Sequence, residues 1–274
     1  MTESLGGHWG SGDVFGRILS AMQDAGITPE TATVETLAPV DHFHARGFQA
    51  TKELADSLPV RPGDRLVDIG CGVGGPARYM AHRFGAHVAG IDITPAFVDA
   101  ANRLTGMTGL ADRVTATLGD GQNLPWPDES FDGGYSQHVT MNVPDRDRFF
   151  AEAFRVLRPG AFFALTEHGK GNGQPLHYPV PWSDDGSFEH LIHPDETVER
   201  LAAAGFGRIE VKETGADYLQ GYRRAMALAE KGELPRFGVH ILLGPTAPAK
   251  TRNAALNIEE GRTKPVQIIC YRPG

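Results

Sequence analysis

The spacing of hydrophobic positions changes along the chain, from helical to strand-like. Over residues 11 to 58, apolar side chains such as Val14, Ile18 and Met22 recur every four residues, which predicts amphipathic helices. From residue 65 onward, short apolar runs alternate with further amphipathic segments. Such alternation implies right-handed crossovers between parallel strands, with helices on both faces of the sheet.

The short apolar runs predict seven strands: "RLVDIG", "HVAGIDI", "RVTATLGD", "SFDGGYSQH", "GAFFALTEH", "RIEVKET" and "VQIICYR". We therefore predict an α/β fold with a Rossmann-like, seven-stranded, mostly parallel sheet. An N-terminal helical cap precedes the sheet, and a C-terminal helical insertion separates its last two strands, which we expect to form an edge hairpin. The expected single domain, 1–274, comprises the cap (1–60), a cofactor-binding core (61–168), a loop over the substrate (169–192) and a C-terminal part (193–274) with its insertion at 215–263.

Composition and charge narrow the classes of partner. The formal net charge is −8, and no run of cations is longer than Arg223-Arg224, so we expect neither nucleic acid nor an anionic membrane as partner. Two cysteines, no secretion signal and no apolar run near ~20 residues predict a cytoplasmic protein. A homo-oligomer is left open.

The stretch "VDIGCGVGG", at the first predicted strand–helix turn, contains candidate ligand-binding residues. Gly70, Gly72 and Gly75 satisfy the pattern G-x-G-x-x-G, and Asp92 lies 22 residues beyond Gly70, where a carboxylate meets ribose hydroxyls in nucleoside-binding sheets. Asp68, two residues before the first glycine, would repel the pyrophosphate of NAD. The ammonium group of S-adenosylmethionine would instead form a charge-assisted hydrogen bond with it.

A third acidic position ends the third predicted strand. "LGDGQNLPW" puts Asp120 where its carboxylate can accept a hydrogen bond from an adenine amino group, and Gly121 or Gln122 beside it can offer a backbone N–H to the ring. Asp-Gly is also a common turn sequence. Three acidic residues at successive strand ends nevertheless favour one adenosine ligand.

These segments carry a family resemblance. "VDIGCGVGG", "GIDIT", "GDGQNLPW", "FDGGYSQHVTMNVPD" and "RVLRPGAFFALTE" resemble, in order, the motifs of class I S-adenosylmethionine-dependent methyltransferases. More narrowly, they resemble the type 11 small-molecule group, which includes sarcosine/dimethylglycine-type and natural-product methyltransferases. The resemblance implies transfer of a methyl group to a small-molecule acceptor, with S-adenosylhomocysteine as the product.

The resemblance also implies roles for individual positions. Residues 41–51 resemble the segment that closes over the cofactor in this group. The implied cofactor contacts are, for the methionine part, Asp68, Gly70, Gly72 and Gln137, for the ribose Asp92, and for the adenine Ile93, Asp120 and Gly121.

Histidines are the candidate bases, because imidazole titrates near neutral pH. His138 follows the fourth predicted strand, at the crevice where such sheets bind ligands, and His44 lies in the closing segment. His168, at the predicted end of the fifth strand, is a further candidate. The pairs His42/His44 and His190/His193 lack a complete ligand set, so we predict no metal.

The acceptor and its nucleophilic atom are left open by the sequence, since nitrogen, oxygen and carbon acceptors all occur on this fold. Four aromatic residues are candidate walls of the acceptor pocket: Trp182, Tyr178, Phe188 and Phe237. Two alternatives to a methyltransferase are a non-catalytic S-adenosylmethionine-binding regulator and an NAD-dependent dehydrogenase.

Overall fold

The structure, a computed structural model, describes residues 12–44 and 46–274. Its helices and strands follow the predicted alternation after a helical N-terminal part. In chain order they are α1 (Val14–Asp24), α2 (Val34–Asp41), α3 (Gly47–Asp56), β1 (Arg65–Ile69), α4 (Gly75–Phe84), β2 (His87–Asp92), α5 (Pro95–Met107), β3 (Val114–Leu118), β4 (Phe131–Gln137), α6 (Arg146–Val156), β5 (Leu157–Lys170), α7 (Pro194–Ala203), β6 (Gly207–Glu213), α8 (Gly215–Glu230), α9 (His240–Leu243), α10 (Ala247–Glu259) and β7 (Thr263–Tyr271).

The strands form one seven-stranded sheet in the order β3-β2-β1-β4-β5-β7-β6. Strands β1 to β5 pair in parallel, whereas β7 is antiparallel to both of its neighbours. The predicted fold class, a mostly parallel seven-stranded sheet with helices, is therefore confirmed. Strands β6 and β7 pair as the expected hairpin, but β7 lies inside the sheet, between β5 and β6.

Local sequence explains where the central elements begin and end. In β1, four of the five residues are buried, as expected for a parallel strand covered on both faces. Pro76 and Pro95 occupy the first turns of α4 and α5. Backbone N–H groups in a first turn have no partner within the helix, so the N–H that proline lacks costs no helical hydrogen bond. Gly85 ends α4 in the left-handed conformation, with φ 70°.

The sheet order reverses between β1 and β4, whose neighbours β2 and β5 lie on opposite sides. This reversal opens a crevice beyond the carboxyl ends of the two strands, which is where doubly wound sheets bind ligands. Helix α2 packs on α4 from the N-terminal side, while α8 and α10 pack together and against β7. Both groups of helices therefore border the crevice.

The structure refines three predicted boundaries. Strand β1 ends at Ile69, one residue short of the predicted run "RLVDIG", and β3 ends at Leu118, so Asp120 lies in the following loop. Strand β5 continues to Lys170 because β7 pairs with it as far as Thr263, which places His168 inside the strand. None of the described helices is long and apolar enough to span a membrane.

Candidate active site

A cavity of about 310 Å³ occupies the crevice beyond the carboxyl ends of β1 to β5. Its lining includes every residue that the sequence singled out as a cofactor or catalytic candidate: Asp68, Gly70, Gly72, Asp92, Ile93, Asp120, Gly121, Gln137, His138, His44 and His168. The structure thus brings all eleven positions to one place. Their individual roles stay predictions.

Two glycines allow the turn after β1 to pass close to its neighbours. Gly70 has φ +84°, and a Cβ atom there would lie 2.1 Å from Cγ2 of Val139. A Cβ atom on Gly75 would lie 2.3 Å from the backbone oxygen of Asp41, at the end of α2. No side chain fits at either position, so the loop can follow the cavity wall closely.

Asp92 fixes the shape of the glycine loop. Its Oδ2 accepts a hydrogen bond from the backbone N–H of Gly72 at 2.8 Å, and its Oδ1 accepts one from that of Thr94 at 2.9 Å. Burial raises the pKa of this carboxyl, while the two backbone donors oppose that rise. The carboxylate therefore holds the loop after β1 against the end of β2, and it also lines the cavity.

Asp68 is buried without a full set of partners. It is 2% exposed, and its Oδ2 has no hydrogen-bond partner within the described part of the chain. Burial raises the pKa of Asp68 to about 8; the nearby hydroxyl of Tyr135 opposes the rise, and the negative charge of Asp92 adds to it. A carboxyl in this state requires a donor, and a positively charged one would restore its ionised form.

Asp120 is partly engaged by its own loop. Its Oδ1 accepts hydrogen bonds from the backbone N–H and the side-chain Nε2 of Gln122, at 2.8 and 3.0 Å. Each carboxylate oxygen can accept more than one bond, so Asp120 retains capacity for a ligand. Gly121 beside it packs on Ile69 and Phe149, where a Cβ atom would lie 2.8 Å from each side chain.

His138 lies directly after β4 in a conformation that is unusual for a residue with a side chain. Its φ is +57°, and its backbone N–H donates to the carbonyl of Thr166 at 2.8 Å, which continues the pairing with β5. Its Nε2 shares a hydrogen bond of 2.7 Å with the hydroxyl of Tyr218 on α8. Burial lowers the pKa of His138, and His44 and His168 lower it further.

The other two histidines pack against His138. The His44 ring stacks on it at an interplanar angle of 24° with centroids 5.5 Å apart, and His44 Nε2 is 3.1 Å from the hydroxyl of Thr51. His168 is also 5.5 Å from His138 and stacks on Trp182 at 4.5 Å. Burial lowers the pKa of His168 to about 3, so its imidazole is neutral at pH 7.

Of the four aromatic residues predicted to form walls of the acceptor pocket, two line the cavity and two do not. Trp182 and Phe188 line the cavity. Phe237 instead packs with the hydrophobic residues of α1, α2 and α5, and Tyr178 packs over Gly186 beside Trp182 without lining the cavity. The prediction is wrong for these two residues because the loop and the C-terminal helices bury them against other parts of the fold.

Two tyrosines of the C-terminal insertion lie at the site but were not predicted from the sequence. Tyr218 contacts His138, and Tyr222, one turn further along α8, lines the cavity with its hydroxyl 3.5 Å from Nε2 of His168. Their spacing of four residues was a signal in the sequence, because it places both on one face of a helix. That this face meets the crevice depends on the tertiary packing of α8.

A buried ion pair joins the N-terminal helices to the glycine loop. Arg78 of α4 donates to Oδ2 of Asp41 at 2.8 Å and to the carbonyl of Val73 at 2.9 Å. Both charged side chains are almost fully buried, so each neutralises the other away from water. Among the described residues, no group of three or more side chains is arranged to hold a metal ion.

Comparisons with known proteins agree with the motifs. Residues 67–165 match the sequence model of a family described as a methyltransferase domain. Methyltransferase GfsG of Streptomyces halstedii is 34% identical over 142 residues, 52% of this chain and 49% of that protein. Phosphoethanolamine N-methyltransferase of Triticum aestivum is 29% identical over 188 residues, 68% of this chain and 36% of that protein.

A solved structure of geranyl diphosphate methyltransferase, in complex with GPP and sinefungin, matches the whole fold. The TM-score is 0.73 at 22% identity, with 99% of each chain covered. The chain spans about half the length, or less, of the curated relatives named above. The comparisons confirm the resemblance over residues 67–165 and the fold over the whole chain.

Proposed function

Because residues 67–165 form a methyltransferase domain, we propose that this chain transfers a methyl group from S-adenosylmethionine to a small-molecule acceptor. The observation that carries the proposal is the buried Oδ2 of Asp68, which lines the cavity and has no hydrogen-bond partner among the described residues. The ammonium of the cofactor's amino-acid part supplies a positively charged donor that stabilises the ionised form of this carboxyl. A pyrophosphate at the same place would supply no positive charge and would oppose its ionisation.

The residues present fit the rest of the cofactor. Asp92, at the end of β2, offers carboxylate lone pairs to the ribose hydroxyls, and Ile93 offers an apolar side chain to the adenine. Asp120 with Gly121 offers an acceptor and a backbone donor to the adenine edge. Nε2 of Gln137, which has no hydrogen-bond partner in residues 12–44 and 46–274, is a donor for the methionine part. When bound, S-adenosylmethionine supplies an electrophilic methyl group on a sulfonium, which is a good leaving group.

Orientation is the main contribution of this chain to the reaction. A cavity that holds donor and acceptor in line at about 3–3.5 Å removes most of the entropic part of the barrier. His138 stands at the end of β4, next to Gln137, and therefore at the junction between the cofactor contacts and the aromatic part of the cavity. We assign it the role of base, which takes the proton that the acceptor loses on methylation.

The neighbours of His138 suit it to that role. Its pKa lies below the usual range, so the imidazole is unprotonated at pH 7 with a lone pair free to accept a proton, while the same shift makes it a weaker base. Tyr218 can donate to or accept from Nε2, so the direction of this bond is coupled to which ring nitrogen carries the proton. His44, stacked on the other side, keeps the ring in place.

The test is a transfer assay with S-adenosylmethionine that carries a labelled methyl group, across alcohols, phenols, amines, carboxylates and prenyl-type acceptors. We expect label in at least one product, together with one equivalent of S-adenosylhomocysteine. Tight binding of S-adenosylhomocysteine with no transfer to any of these acceptors would favour a regulatory binding protein. Hydride transfer to or from NAD would favour a dehydrogenase.

A further inference from the structure

The part of the cavity beyond the cofactor contacts has a distinct chemistry. We call it the acceptor chamber, and it is lined by residues from five separate segments of the chain: His44, His138, His168, Trp182, Phe188 and Tyr222. All six side chains are aromatic rings. Their polar atoms are imidazole nitrogens, an indole N–H and a phenol hydroxyl, which form hydrogen bonds without a formal charge.

The chamber disfavours positive charge. Burial lowers the pKa of His138 and of His168, and the two rings, 5.5 Å apart, face a third imidazole at His44. A cation placed there would be desolvated without a carboxylate to compensate it. Four carboxylates line the cavity. Asp68, Asp92 and Asp120 lie at or just beyond the ends of β1 to β3 on the cofactor side, and Asp41 lies at the end of α2.

The remaining acids near the chamber already have partners. Asp41 is paired with Arg78 at 2.8 Å. Glu167, beside His168 in β5, is fully buried and accepts hydrogen bonds from Thr140, Arg146 and Thr197. Arg78 balances the charge of Asp41, although Oδ1 of Asp41 has no hydrogen-bond partner among the described residues, and Arg146 balances the charge of Glu167. Glu189 accepts a hydrogen bond from the indole N–H of Trp182 at 3.1 Å and does not line the cavity. An ammonium group on an acceptor would therefore meet no uncompensated carboxylate charge in the chamber.

The chamber equally offers nothing to an anion. No lysine or arginine lines the cavity within residues 12–44 and 46–274. The sequence of the remaining positions, 1–11 and 45, contains neither residue type. Arg146, which lies behind Thr140, is held by Glu167 at 2.6 Å and is 3% exposed. Burying a phosphate here would therefore leave it without a counter-charge.

We propose that the acceptor is an uncharged, largely apolar molecule that presents a hydroxyl group to His138. This inference rests on the proposed function and specifies its substrate class. The hydroxyl proton passes to the neutral imidazole, and the oxygen forms a bond to the methyl carbon. The carbon–sulfur bond breaks, and its electron pair stays on sulfur, which becomes a neutral thioether. The positive charge that the sulfonium carried is then on the protonated imidazole of His138.

Three probes with one aromatic skeleton test the charge preference: 2-naphthol, 2-naphthyl phosphate and 2-naphthylmethylamine, which at pH 7 are neutral, anionic and cationic. The chain is first titrated with S-adenosylhomocysteine by calorimetry, and each probe is then titrated into the saturated complex. We expect 2-naphthol to bind at least about tenfold more tightly than either charged probe, because an unpaired charge pays its full desolvation penalty.

The two steps separate the two claims. If S-adenosylhomocysteine does not bind, the proposed function fails. If it binds but 2-naphthol binds no more tightly than a charged probe, or does not bind, only the substrate class is overturned.

A matched pair of variants tests whether the charge preference in ligand binding arises in the acceptor chamber. Ser187 is exposed and lines the cavity at its rim. Ser187→Lys adds a cation there, so 2-naphthyl phosphate should bind several-fold more tightly to it than to Ser187→Gln, with unchanged affinity for S-adenosylhomocysteine. Equal affinities of the two variants for the phosphate would contradict selection by chamber charge.

Discussion

The two halves of the cavity differ in charge and in the way the chain assembles them. The half proposed to bind the cofactor is acidic and is assembled from residues at or just beyond the ends of successive strands, Asp68, Asp92 and Asp120. The acceptor chamber is neutral and aromatic, and its residues extend from His44 to Tyr222 along the chain. The same crevice therefore combines a locally encoded charge pattern with a surface that exists only after the chain has folded.

The difference predicts that substitutions in the two halves affect different steps. Changes in the cofactor half should weaken the binding of S-adenosylhomocysteine. Changes in the chamber should slow turnover and leave that binding intact.

The largest difference between the effect on turnover and the effect on S-adenosylhomocysteine binding is expected for substitution of His138. His138→Phe keeps a ring of similar volume but removes the base, so turnover with the acceptor found in the transfer assay should fall by about 10²–10⁴-fold. Affinity for S-adenosylhomocysteine should stay within about twofold, as measured by calorimetry. The matched control is His87→Phe, an exposed position at the other end of the sheet, which should change neither quantity. Full activity of His138→Phe would remove the residue from the chemistry.

Substitution of Asp92 should instead weaken the binding of S-adenosylhomocysteine. Asp92→Ala removes the expected bonds to ribose and the two bonds that hold Gly72 and Thr94. Hydrogen bonds to a charged group contribute about 1.5–3 kcal/mol each, so affinity for S-adenosylhomocysteine should fall by at least about 10²-fold. Asp99→Ala, on the exposed face of α5, is the matched control. Unchanged affinity in a folded Asp92→Ala variant would place the ribose elsewhere.

The pH dependence of cofactor binding should report Asp68. Below pH 8 its carboxyl is protonated in the free chain, because burial raises its pKa to about 8. An ammonium ligand requires the ionised form, so binding releases a proton. Affinity for S-adenosylhomocysteine should therefore rise by up to about tenfold per pH unit from pH 6 and level off near pH 8. Asp68→Asn should bind more weakly with a flat profile, and a flat profile in the unaltered chain would contradict this role.

Tyr218 should have the smallest effect of the four. As a positioning residue it acts through His138, so Tyr218→Phe should lower kcat by about tenfold or less and leave KM nearly unchanged. The pH profile of kcat should shift, because the hydrogen bond to Nε2 is lost. Tyr222→Phe, one turn along the same helix, should change kcat less, since its hydroxyl is 3.5 Å from His168. An unshifted profile in Tyr218→Phe would reduce the tyrosine to packing.

The elements that carry the cofactor half could be predicted from the sequence for a physical reason. Strand, glycine turn and helix follow one another within a few residues there, and α5 begins at Pro95, a residue favoured in the first turn of a helix. Gly70 and Asp92 are set by local backbone geometry and by pairing between adjacent strands.

The acceptor chamber could be predicted only in part. His138 was visible because it follows a strand, whereas Tyr218 and Tyr222 reach the site through the packing of α8, which no local pattern specifies. Phe237 shows the converse, an aromatic residue in the expected region that α1, α2 and α5 bury elsewhere.

The most direct measurement is a calorimetric titration of the chain with S-adenosylhomocysteine and, separately, with NAD at pH 7. The account predicts one site for S-adenosylhomocysteine, release of about one proton on binding because Asp68 ionises, and no binding of NAD. Binding of NAD with no response to S-adenosylhomocysteine would contradict it.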